Sequence, residues 1–347
     1  MTGYTAPLHL SLSSEALVSN WRWLSQQSGA AACGAAVKAN GYGLGAVEVV
    51  THLRKAGCRD FFVATWAEAA ELAGVIGDAN LSVLHGVREG DMALAMTLNA
   101  RPVLNSAEQI ARWRVADGGP CDVMVDTGMN RLGLSPEEAA SSLLDGLPIE
   151  TLMSHLACAD QDVPMNAAQL AAFRAVADRV PARRTSLANS AGICLGSDYA
   201  FDLTRPGLAL YGGIPRREAG GHIRQVVTPQ VEVLQVRDVK AGDTVGYNAT
   251  WSAAKDYRVA IINLGYADGY LRSFSDRGSA SYDGHHLPVI GRVSMDLVAL
   301  AILAKCPIAA GMTVDIDFDL AGASSLTGLS SYELLTGLGA RYQRDWI

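Results

Sequence analysis

Apolar and polar positions along this chain fall into a repeating pattern. Over the first two thirds, short apolar runs recur at spacings of roughly 20 to 35 residues with helix-period stretches between them, the alternation expected of repeated strand–helix units. Eight runs qualify as strands: CGAAVKA near 33, FFVAT at 61, LSVLHG at 81, RPVLNS at 101, CDVMVDTG at 121, IETLMSHL at 149, RTSLANS at 184 and LALYGG near 208. Between them, SAEQ at 106–109 and SPEE at 135–138 have the form of helix capping boxes, the second with Pro136 at the first helical position. Val49 with Leu53, and Leu170 with Phe173 and Ala177, show the spacing of a helix face packed on a sheet. Eight such units over about 210 residues predict an α/β fold built on a closed (β/α)8 TIM-like barrel at residues 11–222. On pattern alone, an open doubly wound sheet is the alternative.

Past residue 222 the texture changes. VVTPQVEVLQVRDVKAGDTVGY, YRVAIINLGYADGY and HHLPVIGRVSMDLVAL alternate β-rich segments with Gly and Asp turns, which predicts a second, mostly β domain at 223–347. MTGYTAPLHLSL at the start is also strand-like, and residues 1–10 are expected to pack on that domain.

Composition narrows the class of function. Of 347 residues, 49% are hydrophobic and 18% charged, the profile of a folded α/β protein. A net charge of -7 with no Lys/Arg cluster argues against nucleic acid and anionic lipid as partners, and for small molecules or a second copy of the chain. Six cysteines, at 33, 58, 121, 158, 194 and 306, form no C-x-x-C pair and read as reduced, buried thiols of a cytosolic protein. Seven histidines show no metal-ligand spacing, so no metal is expected, and His285 with His286 reads as a turn. No positive charge precedes Arg22, no apolar core of signal-peptide length follows, and the longest apolar run, LVALAILA at 297–304, is too short to span a bilayer. The expected location is the cytoplasm.

The chemistry is legible around AAVKANGYGLG at 35–45. Active sites of barrels lie at the C-terminal ends of strands, and there the polar residues Lys38, Arg131, His155, Asn189 and Ser190 follow their apolar runs. A lysine ending a buried strand loses hydration, which lowers its pKa and frees a neutral amine as nucleophile or base. A lysine that snorkels to the barrel rim has the same local pattern. Gly41, Gly43 and Gly45 give G-x-G-x-G, which lacks the spacing of a dinucleotide-binding loop.

Nine stretches in order resemble the alanine racemases, enzymes of fold type III that depend on pyridoxal 5'-phosphate (PLP): VKANGYGLG, VDTGMNRLG, SHLACAD, ANSAG, RPGLALYG, VGYNATW, GYADGY, GRVSMD and RYQR. The resemblance spans nearly the whole chain and implies a role for each matching residue. Lys38 matches the lysine that carries PLP on its amine and acts as base on one face of the substrate Cα. Tyr247 matches the second base, which reaches the site from the neighbouring subunit of a homodimer. With an unperturbed pKa of about 10, that tyrosine needs a site that favours its phenolate or pairs it with a cation. Arg131 and His155 match residues lining this region, His155 near Arg205. Arg205 matches the arginine facing the pyridine nitrogen, and a guanidinium does not readily give up its proton. For the phosphate the resemblance points to Tyr42, Ser190, the N–H groups of Gly207 and Leu208, and Tyr342. Met295 matches a position whose backbone N–H binds the substrate carboxylate, and Tyr266 a tyrosine at the substrate entrance. Taken singly, Met295 reads as core filler and Ser190 as a helix N-cap.

Two positions depart from the family pattern. Met124 stands where many members carry a carbamylated lysine that supports the arginine here at 131, so a bound chloride or a nearby carboxylate is expected to take its place. Ser294 replaces a frequent cysteine. The implied function is interconversion of L- and D-alanine, the latter for peptidoglycan. The alternatives are a racemase for serine or a broader range, a decarboxylase, which Arg205 disfavours, and a PLP carrier protein of a single barrel, which would end near residue 230.

Overall fold

A computed structural model describes residues 5–303 and 305–347. Two compact units emerge, one from Glu15 to Arg224 and one from the segment ending at Ser14 together with Gln225–Ile347.

In the first unit, seven parallel strands pair in chain order: Ala35–Ala36, Asp60–Val63, Asn80–Val83, Arg101–Leu104, Cys121–Met124, Ile149–Met153 and Arg184–Ser186. Leu203–Thr204 completes the ring. It pairs in parallel with Ala32–Cys33 on one side, and on the other Asp202 N–H donates to Thr185 O at 3.1 Å and Arg205 N–H to Ala188 O at 2.8 Å. The first strand is interrupted at Gly34, where a Cβ would come within 2.8 Å of Asp60 O, so a side chain there would push the first two strands apart. The eighth strand lies upstream of its expected place. LALYGG is a buried 3-10 turn at Leu208–Tyr211, and the strand is Leu203–Thr204. Pro206 separates the two, and so short an apolar run carries no period that tells strand from turn.

Helices between the strands follow the expected faces. Val49 and Leu53 on helix Ala46–Ala56 are fully buried, as is Phe173 on helix Pro164–Ala177. Ser135 and Glu138 close a full capping box, with Pro136 at the first helical position. At SAEQ the box is half made: Ser106 Oγ accepts Gln109 N–H, but Gln109 Oε1 takes the N–H of Asn105 instead.

The strand starts carry a buried ionic layer. Arg184 donates to both oxygens of Asp60, at 2.7 and 3.2 Å, and Asn80 donates to Asp60 Oδ1 at 2.9 Å. Arg101 lies 3.7 Å from Asp122 and 3.8 Å from Glu150, and Ser82 Oγ donates to Asp122 at 2.6 Å. Full burial pushes the Asp122 carboxyl above its ordinary range, against the pull of Arg101. Charged groups at this end of a barrel serve stability, since the chemistry sits at the other end.

The second unit is mainly antiparallel. Its strands run in the order Tyr257–Ile262, Val298–Ile302, His285–Ile290, Ser279–Tyr282, Thr313–Ile316 and Val227–Val239, and the last pairs back onto the first. Val227–Val239 is long enough for two jobs: a register shift between Val233 and Gln235 lets its second half pair with Tyr257–Ile262, while its first half pairs with Leu8–Leu12. Leu8–Leu12 in turn pairs in parallel with Gln343–Trp346. Its leucines at 8, 10 and 12 face inward, and full burial of each is worth about 1.5–3 kcal/mol. Residues 1–4 of the expected N-terminal strand, and Ala304 of the run LVALAILA, lie outside the described residues.

Two expectations are corrected here. His285 and His286 begin a strand, and the turn lies just before them at Asp283–Gly284. The six cysteines are free, but Cys158 and Cys194 are only partly buried. Among the described residues, no helix is long and apolar enough to cross a membrane.

Replacing Arg184 by Met should leave Asp60 as an uncompensated buried charge and lower the unfolding free energy by about 3 kcal/mol, read from the midpoint of a urea transition.

Candidate active site

The barrel ladder runs directly into Lys38. Val37 N–H donates to Phe62 O at 2.8 Å, and the next residue is the half-buried lysine. The backbone then changes hand: Ala39, Asn40, Gly41 and Tyr42 have φ of 52, 52, 62 and 55°. Left-handed geometry costs about 1–2 kcal/mol for each residue with a side chain, so such a turn persists only when its surroundings hold it. Glu68 supplies much of that hold. Its Oε1 accepts Ala39 N–H at 2.7 Å, and its Oε2 accepts Ala64 N–H at 2.7 Å and Thr65 N–H at 3.2 Å. Asn40 Oδ1 takes the N–H of Ala46, and Tyr42 stacks on Tyr211 with ring centroids 4.6 Å apart. Burial and the nearby Arg131 guanidinium push the Lys38 ammonium below the usual lysine pKa, while Glu68 pulls the other way.

Arg205 follows the last barrel strand and is buried. Its guanidinium donates to Ser186 Oγ and, at 2.5 Å, to Ser154 O. Both partners are neutral, and among the described residues its Nε–H donates to no protein acceptor. Burial brings its pKa down to about 10, so it is charged at neutral pH. His155, next to Ser154, is driven down to about 3 by burial and by Arg205, Arg131 and Lys38, so its imidazole is neutral. The same three cations therefore crowd one end of the barrel.

Beside them lies a small cradle of donors. Ser190 Oγ accepts Gly207 N–H at 2.9 Å and Ala209 N–H at 3.3 Å, whereas the buried Leu208 N–H has no protein acceptor among the described residues. The N-cap here is Asn189, whose Oδ1 accepts Gly192 N–H, which leaves the Ser190 hydroxyl for the cradle. A Cβ on Gly207 would fall 2.2 Å from Tyr42 Oη, so the tyrosine and the amides close on one another only without a side chain at 207. Converging N–H and hydroxyl groups of this kind bind an anion without lysines.

Arg131 is exposed, on a loop organised by Asp126, whose carboxylate accepts N–H groups from Gly128, Asn130 and Arg131 at 2.9, 3.0 and 2.8 Å. Burial opposes it, but these donors hold the Asp126 carboxyl below its ordinary range. The carboxylate expected to replace the missing lysine at 124 is absent: among the described residues none pairs with the Arg131 guanidinium, and Asp126 is spent on backbone.

The remaining sequence-derived residues belong to the β unit. Tyr247 is 66% exposed and lines a cavity of about 690 Å³ with Thr244, Arg292 and Ser294. Tyr266 and Met295 come together, since Tyr266 N–H donates to Ser294 O at 3.0 Å and Ala267 N–H to Met295 O at 3.1 Å. Met295 is 52% exposed and is not core filler, and its own N–H donates to no protein acceptor among the described residues. Tyr342 is buried, and burial with the neighbouring Asp268 raises its hydroxyl pKa. Glu68 went unremarked in the sequence although it is the last residue of the capping box TWAE, whereas Tyr211 and Arg341 stood inside the stretches RPGLALYG and RYQR without a role of their own.

A barrel whose mouth holds a deprotonation-prone lysine, a guanidinium with neutral partners and an anion cradle, with a β unit in the same chain, defines a class of barrel proteins built for a small anionic ligand with a reactive carbonyl. Comparison with known proteins makes the class specific. Residues 12–215 match the family model for the alanine racemase N-terminal domain and residues 226–346 that for the C-terminal domain. This chain belongs to the alanine racemase family. It is 42% identical to the alanine racemase of Acidiphilium cryptum, with 96% of this chain and 97% of the relative covered. It is 44% identical to the catabolic alanine racemase of Agrobacterium fabrum, with 98% and 92% covered. The crystal structure of Bartonella henselae alanine racemase with covalently bound pyridoxal phosphate superposes with a TM-score of 0.91 at 36% identity, over 99% of this chain and 100% of that one.

Because the Lys38 pKa is lowered, its amine should react with a small aldehyde through a midpoint below the ordinary lysine value. Arg131→Ala removes a like charge and should move that midpoint up, measured as the pH dependence of imine formation at Lys38 in the ligand-free chain.

Proposed function

We propose that the chain is a PLP-dependent alanine racemase that interconverts L- and D-alanine by a two-base mechanism, working as a cytoplasmic homodimer and supplying D-alanine for peptidoglycan. The observation that carries this reading is the match to both family domains, with Lys38 placed at the end of a barrel strand beside Arg131. The barrel residues fit the cofactor. The Lys38 amine suits its aldehyde, the cradle of Ser190, Gly207 and Leu208 beside Tyr42 suits its phosphate, and the spare Nε–H of Arg205 suits an acceptor nitrogen. Tyr342 is the remaining phosphate ligand by resemblance. When bound, PLP supplies an electron-withdrawing ring that stabilises the electron pair left at Cα when its proton departs.

The protein's part is to place and move protons. Lys38, whose pKa burial and Arg131 lower, removes or returns the proton on one face of Cα. Tyr247 of a second copy does the same on the opposite face, and its exposure on its own unit supports that arrangement. Arg205 keeps its proton, so it tempers how strongly the ring withdraws electrons, and reprotonation at Cα outruns side reactions. The neutral His155 beside Arg205 adds no further positive charge. Arg131 faces the substrate region, the unspent Met295 N–H takes the substrate carboxylate, and Tyr266 borders the entrance. A homodimer follows from the mechanism, because both bases must meet at one Cα.

The purified protein should absorb at about 420 nm, the region of a lysine-bound PLP, and abolish the circular dichroism of L-alanine faster than that of L-serine. Faster loss with serine would assign serine as the substrate. Mixing Lys38→Ala with Tyr247→Phe chains should restore activity in the mixed dimers, each of which has one intact site; verified mixed dimers without activity would exclude a shared site.

A further inference from the structure

Arg341 joins the loops around Tyr266 and Met295 through its two acidic partners. Its Nε and one terminal nitrogen grip the two oxygens of Asp268 at 2.6 Å each, and the other terminal nitrogen reaches Asp296 at 2.7 Å. Asp268 is fully buried and also accepts Gly265 N–H at 3.0 Å, so its carboxylate anchors the GYADGY turn from inside. Asp296 directly follows Met295, and Arg341 directly precedes Tyr342. Thus one planar cation fixes the turn that carries Tyr266, the loop that presents the unspent Met295 N–H and the start of the strand after Tyr342.

The backbone agrees with the side chains. Gly265 packs so closely on the Met295 loop that a Cβ there would lie 2.1 Å from Met295 O, and the two segments share the hydrogen bonds from Tyr266 and Ala267. Those bonds fix the carbonyl side of residues 294 and 295. The Met295 N–H has no protein partner among the described residues, whereas Ser294 N–H donates to Leu297 O at 3.1 Å, and the half-exposed Asp296, next in the chain, is tied down from beyond the loop by Arg341. A backbone donor aimed at a ligand works only if its direction is held, because a shift of about 1 Å weakens the bond steeply. Arg341 also neutralises two carboxylates close to where a substrate carboxylate is to bind; a lysine, with no planar fork, cannot serve both.

We propose that Arg341, through Asp268 and Asp296, is a positioning residue that holds the Met295 N–H in the direction needed to bind the substrate carboxylate. The inference rests on the alanine racemase reading, and it deepens that reading by naming what orients a backbone donor. Arg341 touches no reacting atom, so its loss weakens ground-state and transition-state binding alike and appears in KM before kcat.

The test compares the wild-type holoenzyme with Asp296→Ala, which leaves the buried Arg341–Asp268 pair in place, and with Arg341→Lys. For each, kcat and KM for L-alanine are measured alongside the cofactor absorbance and the thermal midpoint. Expected for both variants is a KM raised about tenfold, the size of one charge-assisted hydrogen bond, with kcat within about twofold and the cofactor band retained. An unchanged KM in Asp296→Ala would overturn the proposal. So would a fall in kcat that tracks the thermal midpoint with KM unmoved, which marks a merely structural clamp. A wild-type chain that does not racemise alanine would overturn the function itself, an outcome visible before any variant is made.

Discussion

Everything at the barrel mouth depends on keeping one amine short of water at a fixed point in space. Lys38 comes two residues after the strand Ala35–Ala36, and the four left-handed residues that follow turn the chain away from the ladder. That turn is unfavourable by itself, and the Glu68 carboxylate, shared among three N–H donors, compensates for it. The same carboxylate is the one anion that raises the Lys38 pKa, against burial and Arg131. One carboxylate thus holds the turn in place and partly offsets the lowering of the Lys38 pKa by burial and Arg131. The strain does not sit at the reactive residue but just behind it, where it fixes direction without loosening the strand.

Around that amine the barrel concentrates positive charge and offers few counter-charges. Arg205 rests on a hydroxyl and a carbonyl, His155 is forced neutral, and Arg131 has no carboxylate partner among the described residues. Acidic partners lie instead at the opposite end of the strands, where Asp60, Asp122 and Glu150 engage Arg184 and Arg101. The two ends of the barrel thus divide the work: paired charges for stability at the strand starts, unpaired cations and spare N–H groups at the strand ends. An anionic ligand completes the second set.

Much of this was legible in the sequence because periodicity and punctuation report local structure directly. Seven of the strands stand where the apolar runs put them, and the box at Ser135 closes as its residues imply. The eighth strand was misplaced because Leu203–Thr204 is too short to leave a pattern, while the more apolar Leu208–Tyr211 is buried as a turn. His285–His286 looked like a turn because a strand edge and a turn share polar composition. Residue types alone made Lys38 a candidate, but they could not show that Met295 is exposed with an unspent N–H, since a backbone donor has no signature in a side chain. Arg341 stood in the stretch RYQR, but its role was hidden for a related reason: its partners are 73 and 45 residues away, and only the fold brings them together.

The long strand Val227–Val239 has a consequence for how the molecule is assembled. Leu8–Leu12 pairs with it on one side and with Gln343–Trp346 on the other. The barrel is thereby an insertion within the sequence of the β unit, contiguous from Glu15 to Arg224, while its host is split around it. During synthesis the barrel's strands all emerge before the host's second part begins, so it can fold as a unit while Leu8–Leu12 waits for a partner. A strand made before the barrel thus finds its place only after it.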